Sequence, residues 1–453
     1  MDFNAFKEIV IAQCAAQGIT EYELYYQTAE SVSVDTFQHS VNEFKSSMGG
    51  GVCFRAIVGG KMGYASTELL SAEQAKALVE KAIDNASVLE SEEQVFLGEG
   101  GQTYEDLPSR DYPLPTTEEL IAKVLETQEK IYAADPMVID GCATTGIVER
   151  SQVAIVNSNG LDLSWHSDAA GLVVVGVVSN GTEMANDYQI KLGELSKIDT
   201  DAMISKAVDT AKEQLGGEVA PTGVYNVVFD PEAMASLLGV FSSIFSSEAA
   251  QKGLSKLGDK EGTMIASPLV TLVDDPMHPE NPDPINFDAE GSPTHKKNII
   301  EGGELKTLLY NLKTAAVAGK KTTGNASKAG YDAPIGLRPF TMHLAAGDCT
   351  EEELLRKAGN GIYIRSVEGL HAGANAVSGD FSLQSTGYML EDGKKTKFVK
   401  SFTVAGNFYD MLKNITAVSD KVICPTPWVR LPSAVLWCWW SSSPSPVNKT
   451  ARF

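Results

Sequence analysis

"MGGGVCFRAIVGGKMGYAST", Met48 to Thr67, decides how the first half of the chain is read. Two runs rich in apolar and β-branched residues flank Gly59-Gly60, and a glycine pair between such runs marks a tight β-hairpin. Upstream, "EYELYYQTAE" (21–30) and "SVSVDTFQHSVNEF" (31–44) alternate polar with β-branched or aromatic residues and read as further strands. Helices bracket this meander. Residues 3–17 place apolar side chains at helical spacing and stop at Gly18, and 71–89 form an amphipathic helix with Ser71 as N-cap.

The pattern then repeats. "TTEELIAKVLETQEKIYAAD" (116–135) reads as a helix capped by Thr117, with Glu118 and Glu119 in its first turn. Strands follow from Met137 to Asn180, turning at Asn159-Gly160, and a helix over 198–215 closes this half. Helix, meander, helix, meander, helix with adjacent antiparallel strands is an α+β arrangement, not a doubly wound one. A change of composition near Gly217–Gly223 marks the expected boundary. The sequence therefore divides into an α+β N-terminal domain (1–217, with an acidic, Gly/Pro-punctuated loop at 90–115), a β-rich C-terminal domain (218–422) and an atypical tail (423–453).

The chain has 453 residues, 59 acidic against 37 basic, for a net charge of −22. Such an excess repels phosphate backbones and anionic lipid, so neither nucleic acid nor a membrane surface is an expected partner. The short runs "DGKKTK" and "AGKKTTG" read as solvated turns. No window carries 18 consecutive apolar residues. The N-terminus lacks the pattern of a secretory signal, and the expected compartment is the cytoplasm. The cysteines, Cys14, Cys53, Cys142, Cys349, Cys424 and Cys438, lack C-x-x-C spacing and so form neither a disulfide framework nor a cysteine zinc site.

The chemistry-bearing stretch of the second half is "FSSIFSSEAAQKGLSKLGDKEG", Phe241 to Gly262. A metallopeptidase helix places imidazoles on either side of a glutamate that polarises the metal-bound water. Here Glu248 stands between Ser247 and Lys252: a neutral hydroxyl is a poor zinc ligand, and an ammonium repels a divalent cation. No metal is expected at this position. Asp288, Glu290 and His295 form a second cluster. The two carboxylates would share one face of a strand, which suits a cation or a hydrogen-bonded turn, and the turn is favoured. Third, His371 and Asp380, with Ser378 or Ser382, have the composition of a nucleophilic triad, but no G-x-S-x-G elbow accompanies them and a glycine-rich turn explains the stretch more simply.

Several segments resemble the TldD/PmbA family of metallopeptidases, and its PmbA (TldE) branch in particular. They are the hairpin 48–67, "VNSNGLDL" (156–163), "SSEAAQKGLSKLGDKEG" (246–262), "FDAEGSPT" (287–294), "LYNLKTA" (309–315), "TTGNASKAG" (322–330) and "GLHAGANAVSGDFSLQSTGYMLEDGK" (369–394). They lie in order across roughly residues 20 to 420, and a collinear series of this length is more specific than any one motif. The resemblance implies an α+β domain joined to a β-rich domain, assembled as a dimer. In the TldD branch the segment matching Ser247–Lys252 is H-E-x-x-x-H and holds zinc with a later ligand; this sequence keeps Glu248 and lacks both imidazoles. The resemblance thus implies a vestigial site at Ser247, Glu248 and Lys252. It also implies no cofactor in this chain, zinc in a TldD-type partner subunit, and peptide or unfolded-protein substrates, in peptide maturation, antitoxin degradation and a role historically called gyrase modulation. A stand-alone homodimeric scaffold that binds peptides without protease activity is the alternative. Four tryptophans crowd the tail from Val422 onward where the family ends in a Gly-Ser-Pro-Ser-type turn, so a frame-shifted, non-native ending is expected there.

Overall fold

The structure is a computed structural model that describes residues 1–90, 93–108, 113–279, 281, 283–422 and 450–452. The expectation for the tail, and with it Cys424 and Cys438, falls on residues outside this set. The chain forms two units. The first comprises Met1–Lys212 together with Ile285–His295 and Tyr310–Leu337, and the second Glu213–Pro284, Lys296–Leu309 and Arg338–Phe453. Two segments that the sequence division places after residue 217 therefore pack with the first unit.

In the first unit the elements are α1 (Phe3–Gln17), β1 (Tyr22–Phe37), β2 (Ser40–Val58), β3 (Lys61–Thr67), α2 (Ala72–Ser87), α3 (Thr117–Ala134), β4 (Ala143–Asn157), β5 (Asp162–Ser179), β6 (Met184–Leu192) and α4 (Thr200–Gln214). The six strands make one antiparallel sheet in the order β3-β2-β1-β4-β5-β6. Gly59 and Gly60 both take left-handed φ values, 58° and 79°, which lets the two-residue turn match the twist of β2 and β3. Ser71 caps α2 as expected, its Oγ accepting from Gln74 N at 3.2 Å. The cap of α3 is Thr116, one residue before the expected Thr117. Its Oγ1 accepts from Glu119 N, and the Glu119 carboxylate accepts from Thr116 N, a reciprocal capping box that Thr117 is misplaced to close.

Side chains alternate across a sheet, so strand register assigns a face to every residue. Leu24, Phe54 and Ala56 face α1 and α2, forming a core with Phe6, Val10, Leu78 and Val79. The register continues this face through Gly146, which lies against Leu120 and Val124 of α3, and Gly176, against Val208 of α4. Helix α2 approaches β3 so closely that a Cβ on Gly63 would stand 1.9 Å from Ala82 O. The opposite face presents Tyr25, Cys53, Val153, Ile155 and Trp165 and is covered by Phe287, Ala289 and Ala326 from the two later segments. These segments bury the middle of the second face of the antiparallel sheet, while the start of β2 and strand β6 keep exposed side chains. The 90–115 loop is not uniformly exposed either: Leu97 is buried, and Gly98 O accepts from Asn157 Nδ2 at 2.9 Å.

The second unit contains a sheet in which Asn226–Phe229 pairs parallel with Gly361–Glu368, which continues antiparallel through Asp380–Glu391 and Lys394–Asn407. A smaller sheet joins Glu304–Leu305, Lys297–Glu301, Leu272–Asp274 and Met342–Leu344, with a hairpin turn at Gly302-Gly303. The fold class is α+β with a β-rich later region. Among the described residues no helix is long and apolar enough to cross a membrane.

Candidate functional site

The polar turn singled out in the sequence is built in the second unit by the helix Pro231–Phe241. Pro231 starts it, Asp230 caps it by accepting from Glu232 N at 2.9 Å, and Ala233, Leu237, Leu238 and Phe241 form its buried stripe. Phe241 stacks on Phe408 at 4.5 Å between centroids and meets Phe381 edge-on at 6.2 Å. A short 3-10 turn over Ser242–Phe245 leads into the five-residue helix Ser247–Gln251. Its entry is pinned to the chain at Leu309, whose carbonyl accepts from Ser247 N (3.0 Å) and whose N–H donates to Phe245 O (2.8 Å).

On this turn Ser247 points inward, 1% exposed, and its Oγ has no hydrogen-bond partner. Glu248 and Lys252, one helical turn apart and partly exposed, form an ion pair with Oε1 and Nζ 2.6 Å apart. A hydrolytic cation does not fit this donor set. The one anionic oxygen donor already faces an ammonium, and the flanking hydroxyl is neutral and buried. Among the described residues no group of three or more His, Cys, Asp or Glu side chains is arranged to hold a metal.

His371 lies on the helical turn Leu370–Gly373, and Asp380 opens the strand Asp380–Glu391. The Asp380 carboxylate accepts from Asn407 Nδ2 at 2.8 Å, and Ser378 Oγ accepts from Asp380 N at 3.2 Å. Hydrogen bonds from Asn407 and Ser378, helped by the charge of Lys256, hold this carboxyl below its ordinary range. No hydrogen bond joins His371 to Asp380, Ser378 or Ser382. The three residue types of a triad are near in sequence, and Asp380 commits its acceptor capacity to an asparagine. What the fold does join is the polar turn and the glycine-rich loop: Lys256 Nζ donates to Ser378 O at 2.6 Å and sits 5.0 Å from the Tyr409 ring centroid. Nothing in the spacing of these residues announces that contact.

The Asp288–Glu290 pair occupies a turn in the first unit, not a strand face as one of the sequence readings had it. Asp288 is buried and fully engaged: Oδ1 accepts from Glu290 N and Ser292 N, and Oδ2 from Ala326 N, each at 2.9 Å. Glu290, also buried, accepts from Leu312 N at 2.8 Å. His295 is exposed and does not share their interior. Burial first, then the charge of Asp288, pushes the Glu290 carboxyl up to about 8, against the pull of Arg55. Beside it Arg55 Nε donates to Glu23 Oε1 at 2.8 Å, with Nη2 2.7 Å from the same oxygen. Burial works most strongly against the Arg55 charge, but the charges and hydrogen bond of Glu23, Tyr64 and Glu290 together outweigh it and keep the guanidinium above its ordinary value. Burial pushes Lys328 down and its neighbour Cys53 up. This network was missed because Glu23 and Arg55 look like ordinary strand residues until register pairs them directly across β1 and β2.

Comparison with known proteins gives the class. Residues 22–86, 110–215 and 222–436 match, in order, the models for PmbA/TldA metallopeptidase domain 1, central domain and C-terminal domain. The chain belongs to the PmbA/TldD family. Among its relatives, a metalloprotease of Methanothermobacter thermautotrophicus is 28% identical over 87% of this chain and 86% of its own length. A metalloprotease PmbA homolog of Haemophilus influenzae is 24% identical over 88% of this chain and 87% of its own. Of solved structures, one from Thermotoga maritima described as a proposed modulator of a DNA gyrase has TM-score 0.86 and 28% identity, covering 94% of this chain and 96% of that one. TldE from Thermococcus kodakarensis shares the fold, with TM-score 0.82 at 22% identity over 92% of this chain and 94% of that one.

Proposed function

We propose that this chain is the PmbA/TldE-type subunit of a TldD/TldE-like peptidase, in which a TldD-type partner supplies zinc and the general base while this chain supplies interface and substrate-channel surface. The observation carrying this reading is the Glu248–Lys252 ion pair at 2.6 Å, beside a serine whose buried hydroxyl is no metal ligand. An ammonium where a metal site needs an imidazole leaves the glutamate without a cation-bound water to polarise. Extended peptides have an available mode of docking in β-strand addition: β6 is an edge strand of the first unit and carries exposed Met184 and Tyr188. The reading places the protein in the cytoplasm as one half of a dimer acting on small or unfolded peptides.

The test is metal content and peptide cleavage by the purified chain, alone and co-expressed with a TldD-type subunit from the same source. The expected result is no stoichiometric zinc and no cleavage alone, with activity and a co-purifying second chain in the pair. Stoichiometric zinc with cleavage by the isolated chain overturns the reading. Exclusive self-association with peptide binding would instead establish the homodimeric scaffold.

A further inference from the structure

Of the four described cysteines, all free and buried, three are poor nucleophiles. Burial raises Cys142 and Cys53 and takes Cys14 to about 12, so the reactive thiolate is scarce at neutral pH. Cys349 differs in its company. It directly precedes Thr350, the N-cap of the helix Glu351–Ala358, and from the last turn of that helix Lys357 reaches back to place Nζ 2.8 Å from Sγ. On its other side the thiol donates to Asp348 Oδ1 at 3.4 Å. The sulfur is shielded, at 3% exposure, but Lys357 is exposed, so the pair lies at the solvent boundary where a small oxidant can reach it. The Lys357 ammonium is held above its ordinary value chiefly by its hydrogen bond to Cys349.

We propose that Cys349 and Lys357 are an oxidant-triggered modification site at which a hydroperoxide joins thiol and amine in a covalent, reducible sulfenamide crosslink. In the first step the Cys349 thiolate attacks one peroxide oxygen. The S–O bond forms, the O–O bond breaks, sulfur is oxidised to the sulfenic acid, and the departing hydroxide takes a proton to become water. In the second step Lys357, having lost a proton to solvent, attacks the sulfur with its lone pair. The S–N bond forms, the S–O bond breaks, and the oxygen leaves as a second water. Overall, thiol, amine and one peroxide yield the sulfenamide and two waters. A nucleophilic amine in contact with the sulfur lets this closure compete with further oxidation, because the second step is intramolecular and the geometry is already set. The linked residue is also one rung of a short ladder, in which Cys349 N donates to Val418 O and Asp420 N donates to Cys349 O. The crosslink therefore fastens the end of the helix to that ladder.

The full chain is treated with hydrogen peroxide, digested without reductant and mapped by mass spectrometry, beside Lys357→Arg and Cys349→Ser. The guanidinium of the first variant keeps the positive charge but is not a nucleophilic amine at neutral pH. The expected result is a linked pair of peptides about 2 Da lighter than their sum, reversed by dithiothreitol and absent from both variants. Peroxide should also remove Lys357 from the set of lysines acylated by an amine-reactive reagent, a readout in the native chain that does not depend on either variant folding. If instead Cys349 gains oxygen in steps of about 16 Da while Lys357 stays open to acylation, the proposal is wrong.

Discussion

Glu290 gives the sharpest test of how the first unit is held together. Its carboxyl is buried, sits beside the fully engaged carboxylate of Asp288, and is pushed up to about 8 from an ordinary 4.5. The sign follows from linkage: a group whose folded value is raised contributes stability that is complete below its unfolded value and is lost as pH rises through the folded one. The interval of 3.5 pH units, at about 1.4 kcal/mol each, sets a ceiling of roughly 5 kcal/mol. By pH 7 about 3 kcal/mol of it is already lost. Glu290→Gln imitates the protonated acid: its carbonyl can accept from Leu312 N as Glu290 does, and it never ionises. Wild type and variant are compared by urea denaturation, followed by circular dichroism, at steps from pH 5 to pH 9. The stability of the variant relative to wild type should grow by about 4 kcal/mol across that range, most of it before pH 8. Parallel profiles would refute the argument, since they would mean that Arg55 neutralises the Glu290 carboxylate at no cost to the fold.

Three further outcomes follow from the geometry. Lys252→Ala removes a partly exposed i,i+4 pair and should lower stability by less than about 0.5 kcal/mol in denaturant titration; a much larger loss would mean that the Glu248–Lys252 pair is structural. Gly63→Ala forces a Cβ to within 1.9 Å of Ala82 O, so β3 and α2 must separate, at a cost of about 1–3 kcal/mol read from the urea midpoint. Phe241→Ala empties the space between Phe381 and Phe408 and should cost about 3–5 kcal/mol, with earlier proteolysis at the Ser242–Gln251 turn that the ring supports.

Much of the first unit was legible because its signals are local. The glycine turn at 59–60, the helix caps and the strand alternation each depend on residues a few positions apart, and they formed as expected except at two places. The cap slips from Thr117 to Thr116, and the segments 21–30 and 31–44 become one strand, Tyr22–Phe37, that turns at Gln38-His39 into Ser40–Val58. The unsuitability of Ser247 and Lys252 as zinc ligands is likewise a property of the residues themselves. The His371–Asp380 reading rested on proximity along the chain, which says nothing about direction. In the fold Asp380 faces Asn407, a partner 27 residues away.

The sequence by itself determined the helices and most of the strand content of the first unit, the family, and that Ser247 and Lys252 rather than imidazoles stand around Glu248, because residue type and short-range pattern carry that information. Only the tertiary structure decided that 285–295 and 310–337 return to cover the open face of the first sheet, and that Glu23, Arg55, Asp288 and Glu290 share one interior. It also decided that Lys357 turns back onto Cys349. Chain reversals and cross-strand register bring together residues tens to hundreds of positions apart, and the free energy of burying their charges side by side exists only once they meet.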